Sequence, residues 1–166
     1  MLTTRQGPAR RWPVLALFAL CVTVMFALGA CCTLGLKNCA QLDSLDFFGD
    51  AKLNSCSAGE GSAPVKVRVY YLTDPDRFRA VQLEKLLENP EAELGASLVG
   101  SPAIVTVLPG KSVHWESLRP SGAAYVGIAA NFCSLEGTWR EVISLNEIAR
   151  SEIRLTDVTL SVDRRK

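Results

Sequence analysis

The chain has 166 residues, of which 18 are Lys or Arg and 17 are Asp or Glu, so its formal net charge at neutral pH is +1. This length accommodates one domain with a hydrophobic core of its own. The charge is nearly balanced and no cluster of basic residues stands out, which argues against a nucleic-acid-binding protein.

The N-terminal stretch has the pattern of a secretory signal. An uncharged run extends from Pro13 to Ala30, and the residues before it include three arginines and no acidic residue. A basic start, an apolar run and small residues at its end are typical of such signals. The run closes with Leu-Gly-Ala-Cys at residues 28–31, which resembles the lipobox of bacterial lipoproteins. In those proteins the chain is cleaved before the cysteine, whose sulfur carries a diacylglyceryl group.

We therefore expect residues 1–30 to be a signal peptide, with cleavage between Ala30 and Cys31 and lipidation of Cys31. Residues 31–41 would form a short lipidated tether, and cleavage would leave 136 residues, 15 basic and 17 acidic. The alternative is an uncleaved transmembrane helix, because eighteen uncharged residues lie at the lower edge of what spans a bilayer. The small residues before Cys31 favour cleavage.

Six cysteines are present, and an envelope compartment beyond the inner membrane would permit disulfides. Cys21 lies in the signal and Cys31 would carry the lipid. The remaining four, which allow three complete pairings, are Cys32, Cys39, Cys56 and Cys133. The preferred pairing is Cys39–Cys56, which would tie the start of the domain to its first long loop. The alternative is that these cysteines stay free or only partly paired. Their spacing matches no zinc pattern, so no metal site is expected.

Hydrophobic periodicity predicts about seven short strands separated by turn residues. They cover residues 42–51, 65–72, 102–108, 113–117, 123–132, 138–145 and 152–162. Residues 54–64, rich in Ser and Gly, form an exposed loop. Residues 74–98 form a helical insertion, with one helix ending at Asn89 and a second helix capped by the same residue. This order of elements predicts a mainly β fold, a β-sandwich over residues 42–166.

Three of the predicted strands have distinctive local features. Apolar residues occupy both parities of 102–108, which predicts burial on both faces. Pro109-Gly110 would join this strand to the next as a hairpin. The small residues within 123–132 would allow close packing, and the final strand would contain a bulge or bend at Thr156-Asp157.

Candidate catalytic groups are sparse. His114, the only histidine, is expected to be a surface residue that faces away from Val113 and Trp115. No nucleophile elbow, phosphate-binding loop or HExxH pattern occurs, so neither a catalytic residue nor a cofactor is predicted. Trp115 and Trp139 are expected to pack in the core. The loop of residues 54–64 is the functional candidate, because a long loop on a rigid sheet can display a partner-binding surface; the alternative is a flexible turn.

Several short segments follow one another in an order that carries a family resemblance. After the lipobox come Leu53-Asn54 and the loop that ends in Pro64, then the segments at 67–72 (Val-Arg-Val-Tyr-Tyr-Leu), 74–78 (Asp-Pro-Asp-Arg-Phe), 109–112 (Pro-Gly-Lys-Ser), 125–132 (Tyr-Val-Gly-Ile-Ala-Ala-Asn-Phe) and 139–140 (Trp-Arg). Together they resemble the outer-membrane lipoprotein of type VI secretion systems, the TssJ/VasD (SciN) family. The resemblance covers nearly the whole chain after the signal.

The resemblance implies a transthyretin-like two-sheet β-sandwich with a helical element and a structural, non-catalytic role. It also implies a lipid anchor in the outer membrane, facing the periplasm. In enteric-type bacteria an aspartate directly after the lipidated cysteine retains a lipoprotein in the inner membrane. Here that position is Cys32, so retention is not expected. The implied partner is the periplasmic C-terminal domain of the large inner-membrane protein TssM, which pairs with TssL.

The same resemblance assigns much of the partner contact to the loop between the first two strands. In this sequence the corresponding residues are Asn54, Ser55, Ser57, Ala58, Gly59, Glu60, Gly61 and Ser62. The alternative function is a lipid-anchored periplasmic ligand-binding or carrier β-sandwich protein, which would need a concave apolar pocket.

Overall fold

The computed structural model describes residues 41–56 and 61–164, which form two four-stranded β-sheets. The strands are β1 (Leu42–Gly49), β2 (Val65–Leu72), β3 (Ala103–Val107), β4 (Ser112–Leu118), β5 (Tyr125–Asn131), β6 (Arg140–Ser144), β7 (Ser151–Thr156) and β8 (Thr159–Arg164). Between β2 and β3 lie three short α-helices, α1 (Asp76–Ala80), α2 (Leu83–Glu88) and α3 (Pro90–Leu94), followed by one 3-10 turn (Gly95–Ser97). The predicted mainly β fold with a helical insertion is confirmed.

The strand order is β4-β1-β7-β8 in the first sheet, called sheet A here, and β3-β2-β5-β6 in the second, sheet B. β1 runs parallel to β7, whereas the other paired strands named above are antiparallel. Within the described residues, no helix is both long and apolar enough to cross a bilayer. The expected signal peptide, tether and lipidated cysteine lie outside the described residues.

The core lies between the two sheets and follows the predicted alternation. From β2, the side chains of Val65, Val67 and Val69 point into this space and are fully buried. Sheet A contributes Phe47 and Leu155, which are equally buried. Each such side chain contributes roughly 1.5–3 kcal/mol when removed from water. Burial of these alternating residues therefore fixes which face of each strand points inward.

The helical insertion covers the outer face of sheet B. Phe78, Leu86 and Leu94 from the insertion pack on Tyr70 and Leu72, which point away from the core between the sheets. This second apolar cluster explains why β2 is buried on both faces near its end.

A glycine in β5 makes this close packing possible. A Cβ atom placed on Gly127 would lie 2.9 Å from Cζ of Phe78 and 3.0 Å from Cδ1 of Leu72. The expectation that the small residues of this strand allow close approach is therefore confirmed.

The predicted single helix before Asn89 is broken into α1 and α2. Val81 and Gln82 adopt extended conformations, with ψ of 148° and 147°. Arg140 stabilises the break, because its Nη1 donates to the carbonyl of Phe78 at 3.0 Å and to that of Val81 at 2.6 Å. The predicted cap of α3 is confirmed, since Oδ1 of Asn89 accepts a hydrogen bond from the amide of Ala92 at 3.1 Å.

Two predictions about β3 were wrong. Ile104 is 61% exposed, because β3 is an edge strand and the cluster under the insertion contains no β3 residue. Pro109-Gly110 does not close a hairpin either, since β3 pairs with β2 in sheet B whereas β4 pairs with β1 in sheet A. The turn instead carries the chain from one sheet to the other.

The last predicted strand is in fact a hairpin of β7 and β8. Thr156 pairs with Thr159 across a two-residue turn, and Asp157 takes a positive φ of 49° there. Aspartate is among the residues that tolerate this conformation. The change of parity in the sequence therefore marks a chain reversal rather than a bulge.

The connections lie at two opposite ends of the sandwich. At the proximal end, where the described chain begins, the amide of Arg119 donates to the carbonyl of Gln41 at 2.8 Å. At the loop end lie the β1–β2, β3–β4, β5–β6 and β7–β8 connections, and the amide of Gly110 donates to the carbonyl of Asp50 at 3.1 Å. The eight residues of β1 separate these ends by roughly 26 Å at about 3.3 Å per residue.

Candidate functional site

The β1–β2 loop is closed at its base by hydrogen bonds. The amide of Ala63 donates to the carbonyl of Leu53 at 3.0 Å, and the hydroxyl of Ser62 donates to the carbonyl of Ala51 at 2.6 Å. The Leu53 side chain is fully buried and fixes the start of the loop in the core. Of the predicted partner-binding residues, Asn54, Ser55, Gly61 and Ser62 lie here, whereas residues 57–60 lie outside the described part of the chain.

Asn54 connects this loop to two others. It adopts a positive φ of 57°, a conformation that asparagine tolerates better than most residues. Its Oδ1 accepts the amide hydrogen of Cys133 at 2.8 Å, and its own amide donates to the carbonyl of Asp157 at 2.7 Å. One residue therefore fixes the β1–β2, β5–β6 and β7–β8 connections to each other.

A disulfide between Cys56 and Cys133 joins the β1–β2 loop to the β5–β6 loop, with the two Cα atoms 6.0 Å apart. The preferred Cys39–Cys56 pairing was therefore wrong. The pairing follows from the topology: β2 is antiparallel to β5, so the residues before β2 and those after β5 meet at the loop end. Cys39 precedes β1, which starts at the proximal end, and it lies outside the described residues.

Apart from Ile104 of β3, the large exposed apolar side chains in the described part of the chain lie at the two ends. Leu108, 47% exposed, and Leu135, 48% exposed, lie at the loop end. Leu42 and Leu118 are 56% and 62% exposed and pair directly across β1 and β4 at the proximal end. The loop predicted to bind a partner has no large apolar side chain, but Leu135 lies two residues after Cys133.

A shallow groove of about 350 Å³ lies beside Leu135. Its walls come from Val81 in the α1–α2 connection, from the first residues of α2, including Glu84, and from Trp139 and Arg140. The guanidinium carbon of Arg140 lies 4.4 Å from the centroid of a Trp139 ring, and burial lowers the pKa of this arginine. The groove therefore combines apolar walls with one positive charge, on Arg140, and one negative charge, on Glu84.

Both predicted core tryptophans pack against apolar clusters. Trp115 is partly buried against the core between the sheets, with its ring 6.2 Å from that of Tyr71. Trp139 contacts both this core and the cluster under the insertion. The space between the sheets, where a carrier would hold its ligand, is filled by buried apolar side chains.

His114 lies on the outer face of sheet A, as predicted, with its side chain 54% exposed. Its Nδ1 is 2.6 Å from Oδ1 of Asp46 and its Nε2 is 2.9 Å from Oε1 of Glu116. The hydrogen bond to Asp46, then that to Glu116, raises the pKa of His114 above its ordinary value. Because both ring nitrogens contact carboxylates, the arrangement is that of a surface ion pair. Among the described residues, no group of three or more metal-binding side chains could hold a metal ion.

A buried charge cluster at the proximal end was missed from the sequence. Asp43 is 1% exposed and accepts hydrogen bonds from Arg119 and from the hydroxyl of Tyr71, the latter at 3.1 Å. Arg119 also donates to the carbonyl of Leu145 at 3.2 Å. Burial, followed by the charge of Asp43, raises the pKa of Tyr71 to about 12. One feature of the sequence indicates this cluster: an acidic residue occupies a position of β1 that faces inward, between two residues that face outward.

Solved structures share this fold. Serratia marcescens Lip, described as a membrane-bound component of the type VI secretion system, is 24% identical with a TM-score of 0.67, over 74% of this chain and 97% of its own. The type VI lipoprotein TssJ1 from Pseudomonas aeruginosa is 23% identical with a TM-score of 0.66, over 77% of this chain and 98% of its own. A chain of the structure described as the T6SS protein TssM C-terminal domain from EAEC is 26% identical with a TM-score of 0.63, over 72% and 98%.

No curated protein matches the chain. Residues 41–164, which include all eight strands and the helical insertion, match the family described as type VI secretion lipoprotein, VasD, EvfM, TssJ, VC_A0113. This match confirms the resemblance drawn from the short segments. The chain belongs to the type VI secretion lipoprotein family.

Proposed function

We propose that this protein is a non-catalytic anchor of a type VI secretion system, held in the outer membrane by lipid on Cys31 and facing the periplasm. Residues 1–30 serve as the signal peptide, and residues 31–41 are the tether between the lipid and the sandwich. The domain binds the periplasmic C-terminal domain of TssM, itself associated with TssL. The secretion channel is thereby attached to the outer membrane.

The observation that carries this proposal is the family match over the entire described sandwich. The proposed partner is supported by the similar chain in the structure described as the TssM C-terminal domain. Neither argument depends on a catalytic group in this chain.

The arrangement of the two ends supports a mechanical role. The tether would join the sandwich at Gln41, at the proximal end, whereas the base of the proposed partner-binding loop lies at the other end. Strands run from one end of the sandwich to the other. An inner strand is hydrogen-bonded to a neighbour on each side, so tension along it is shared with the rest of the sheet. A lipid at one end and a protein partner at the other would therefore load the sandwich along its length.

The strength of the anchor follows from its chemistry. Each buried methylene of an acyl chain adds roughly 0.8 kcal/mol of membrane affinity, and two chains give stable anchoring. The small residues Gly29 and Ala30 suit the extended substrate cleft of a signal peptidase, and the thioether requires the thiol of Cys31. A serine at this position would remove the lipid without changing the sandwich.

The test is fractionation of cells that carry Cys31→Ser, with Cys32→Ser as the matched control. We expect Cys31→Ser to leave the outer-membrane fraction and to abolish type VI secretion, because residue 31 then lacks the thiol that forms the thioether to the lipid. Cys32→Ser keeps the lipobox and should fractionate and support secretion like the native protein. Full secretion by Cys31→Ser would overturn the proposed anchor.

A further inference from the structure

The proposed partner-binding loop lacks the residues that usually dominate an interface. Residues 54–62 contain no apolar side chain larger than cysteine. Binding energy at protein interfaces is concentrated in a few large, well-packed side chains, and small polar residues contribute little. The loop alone therefore needs an apolar anchor from a neighbouring segment.

The β5–β6 loop offers that anchor and is covalently joined to the first loop. Cys133 is bonded to Cys56, and its amide is hydrogen-bonded to Asn54. Leu135, two residues further on, is exposed and lies at the edge of the groove lined by Val81 and Trp139. Residues 54–56 of the β1–β2 loop and Cys133 of the β5–β6 loop are thus held in a fixed relation by one covalent and one polar contact.

The second loop is also held from below. A Cβ atom placed on Gly137 would clash with the carbonyl oxygen of Val158 and with the hydroxyl of Thr159, so the β5–β6 loop passes directly over the β7–β8 turn. The β7–β8 turn is itself held to the β1–β2 loop, because the carbonyl of Asp157 accepts a hydrogen bond from the amide of Asn54. Contacts on both sides position the segment that carries Leu135.

We propose that Leu135 is the apolar anchor of a composite interface formed by residues 54–56 of the β1–β2 loop and by the β5–β6 loop, and that the Cys56–Cys133 disulfide fixes these two segments for the partner. The occupant is the periplasmic domain of the large inner-membrane partner, so this inference rests on the proposed function. Loops that are already fixed lose less conformational entropy on binding, which raises affinity without any new contact.

The experiment is a titration of the lipidated full chain, in detergent, with the periplasmic domain of TssM. Leu135→Ser is compared with Leu118→Ser, which removes an even more exposed leucine from the opposite end of the sandwich. We expect Leu135→Ser to weaken binding by about tenfold or more, as for other interface anchors, and Leu118→Ser to bind within about twofold of the native chain.

The disulfide is tested in the same titration with Cys56→Ser/Cys133→Ser. Its binding should be weaker than that of the native chain, and circular dichroism should show that the β-sandwich is still formed at the temperature used. A reductant added to the native chain should reproduce the loss and should leave the double variant unchanged. Native affinity in a folded double variant would overturn the role of the disulfide.

The outcomes separate the two proposals. If the native chain does not bind the partner domain, both the proposed function and this inference are wrong. If the native chain binds but Leu135→Ser behaves like Leu118→Ser, only the inference is wrong. Loss of binding confined to Leu135→Ser and the disulfide variant would establish the composite interface.

Discussion

Asp43 and Arg119 form a two-point ion pair inside the proximal end of the sandwich, with Nη2 to Oδ1 at 2.6 Å and Nε to Oδ2 at 3.1 Å. The pair joins the start of β1 to the residue that follows β4. Because Asp43 is almost fully buried, its charge depends on this guanidinium for compensation.

We predict that Arg119→Ala lowers the free energy of unfolding by about 3–5 kcal/mol, because it leaves a buried carboxylate without its counter-charge. Chemical denaturation measures the change. The matched control is Arg154→Ala, which removes an arginine from its pair with Asp163 on the outer face of sheet A, where both side chains are about half exposed. That substitution should cost less than about 1 kcal/mol. Equal effects of the two substitutions would contradict the role given to the buried pair.

The Cys56–Cys133 disulfide closes a long segment, since its cysteines are 77 residues apart in sequence. A cross-link of this kind restricts the unfolded chain and typically adds about 2–4 kcal/mol of stability. Replacing both cysteines by serine should therefore lower the free energy of unfolding by this amount. A reductant should destabilise the native chain similarly and leave the double variant as it was. Peptide mapping that joins Cys56 to another cysteine would contradict the pairing.

Gly127 lies under the aromatic ring of Phe78, where a methyl group has no room. Gly127→Ala should therefore force the helical insertion away from sheet B and cost about 1–3 kcal/mol in thermal or chemical unfolding. Gly61→Ala is the control, because nothing lies within 4 Å of the added methyl group there. A stability like that of the native chain for Gly127→Ala would show that the insertion is not packed as described.

His114 provides a pH test on a single resonance, because the chain has no other histidine. Its contacts with Asp46 and Glu116 raise its pKa, so an NMR titration should give a value above about 6.5. The stabilisation by these contacts is complete below the unfolded-state pKa and is lost as pH rises through the folded-state pKa. Asp46→Asn should move the titration toward lower pH. A pKa of His114 in the native chain at or below that of a free histidine would be evidence against these contacts.

Much of the fold could be predicted because the strands obey the alternation that burial on one face requires. The strand at 65–72 was predicted with its exact bounds, since Val65, Val67 and Val69 mark one face so clearly. The break between α1 and α2 could not be predicted, because it depends on Arg140, which lies far along the chain and donates to carbonyls that a continuous helix would use internally.

Long-range pairing was the main limit for the candidate site. Asp43 and Arg119 are 76 residues apart, and local periodicity contains no information about such a partner. The choice of Cys133 for Cys56 likewise depends on β5 lying next to β2, which periodicity does not specify. The loop could be located from its composition, whereas its attachment to the β5–β6 loop required the strand order.

The most direct test of the proposed function is site-specific photo-cross-linking in intact cells. A photoreactive residue is placed at Glu60, in the proposed partner-binding loop, or at Leu118, at the opposite end of the sandwich. The account predicts a cross-link to the TssM periplasmic domain from position 60 and none from position 118, with the lipoprotein itself in the outer-membrane fraction. A cross-link to TssM from position 118 alone, or from neither position, would contradict it.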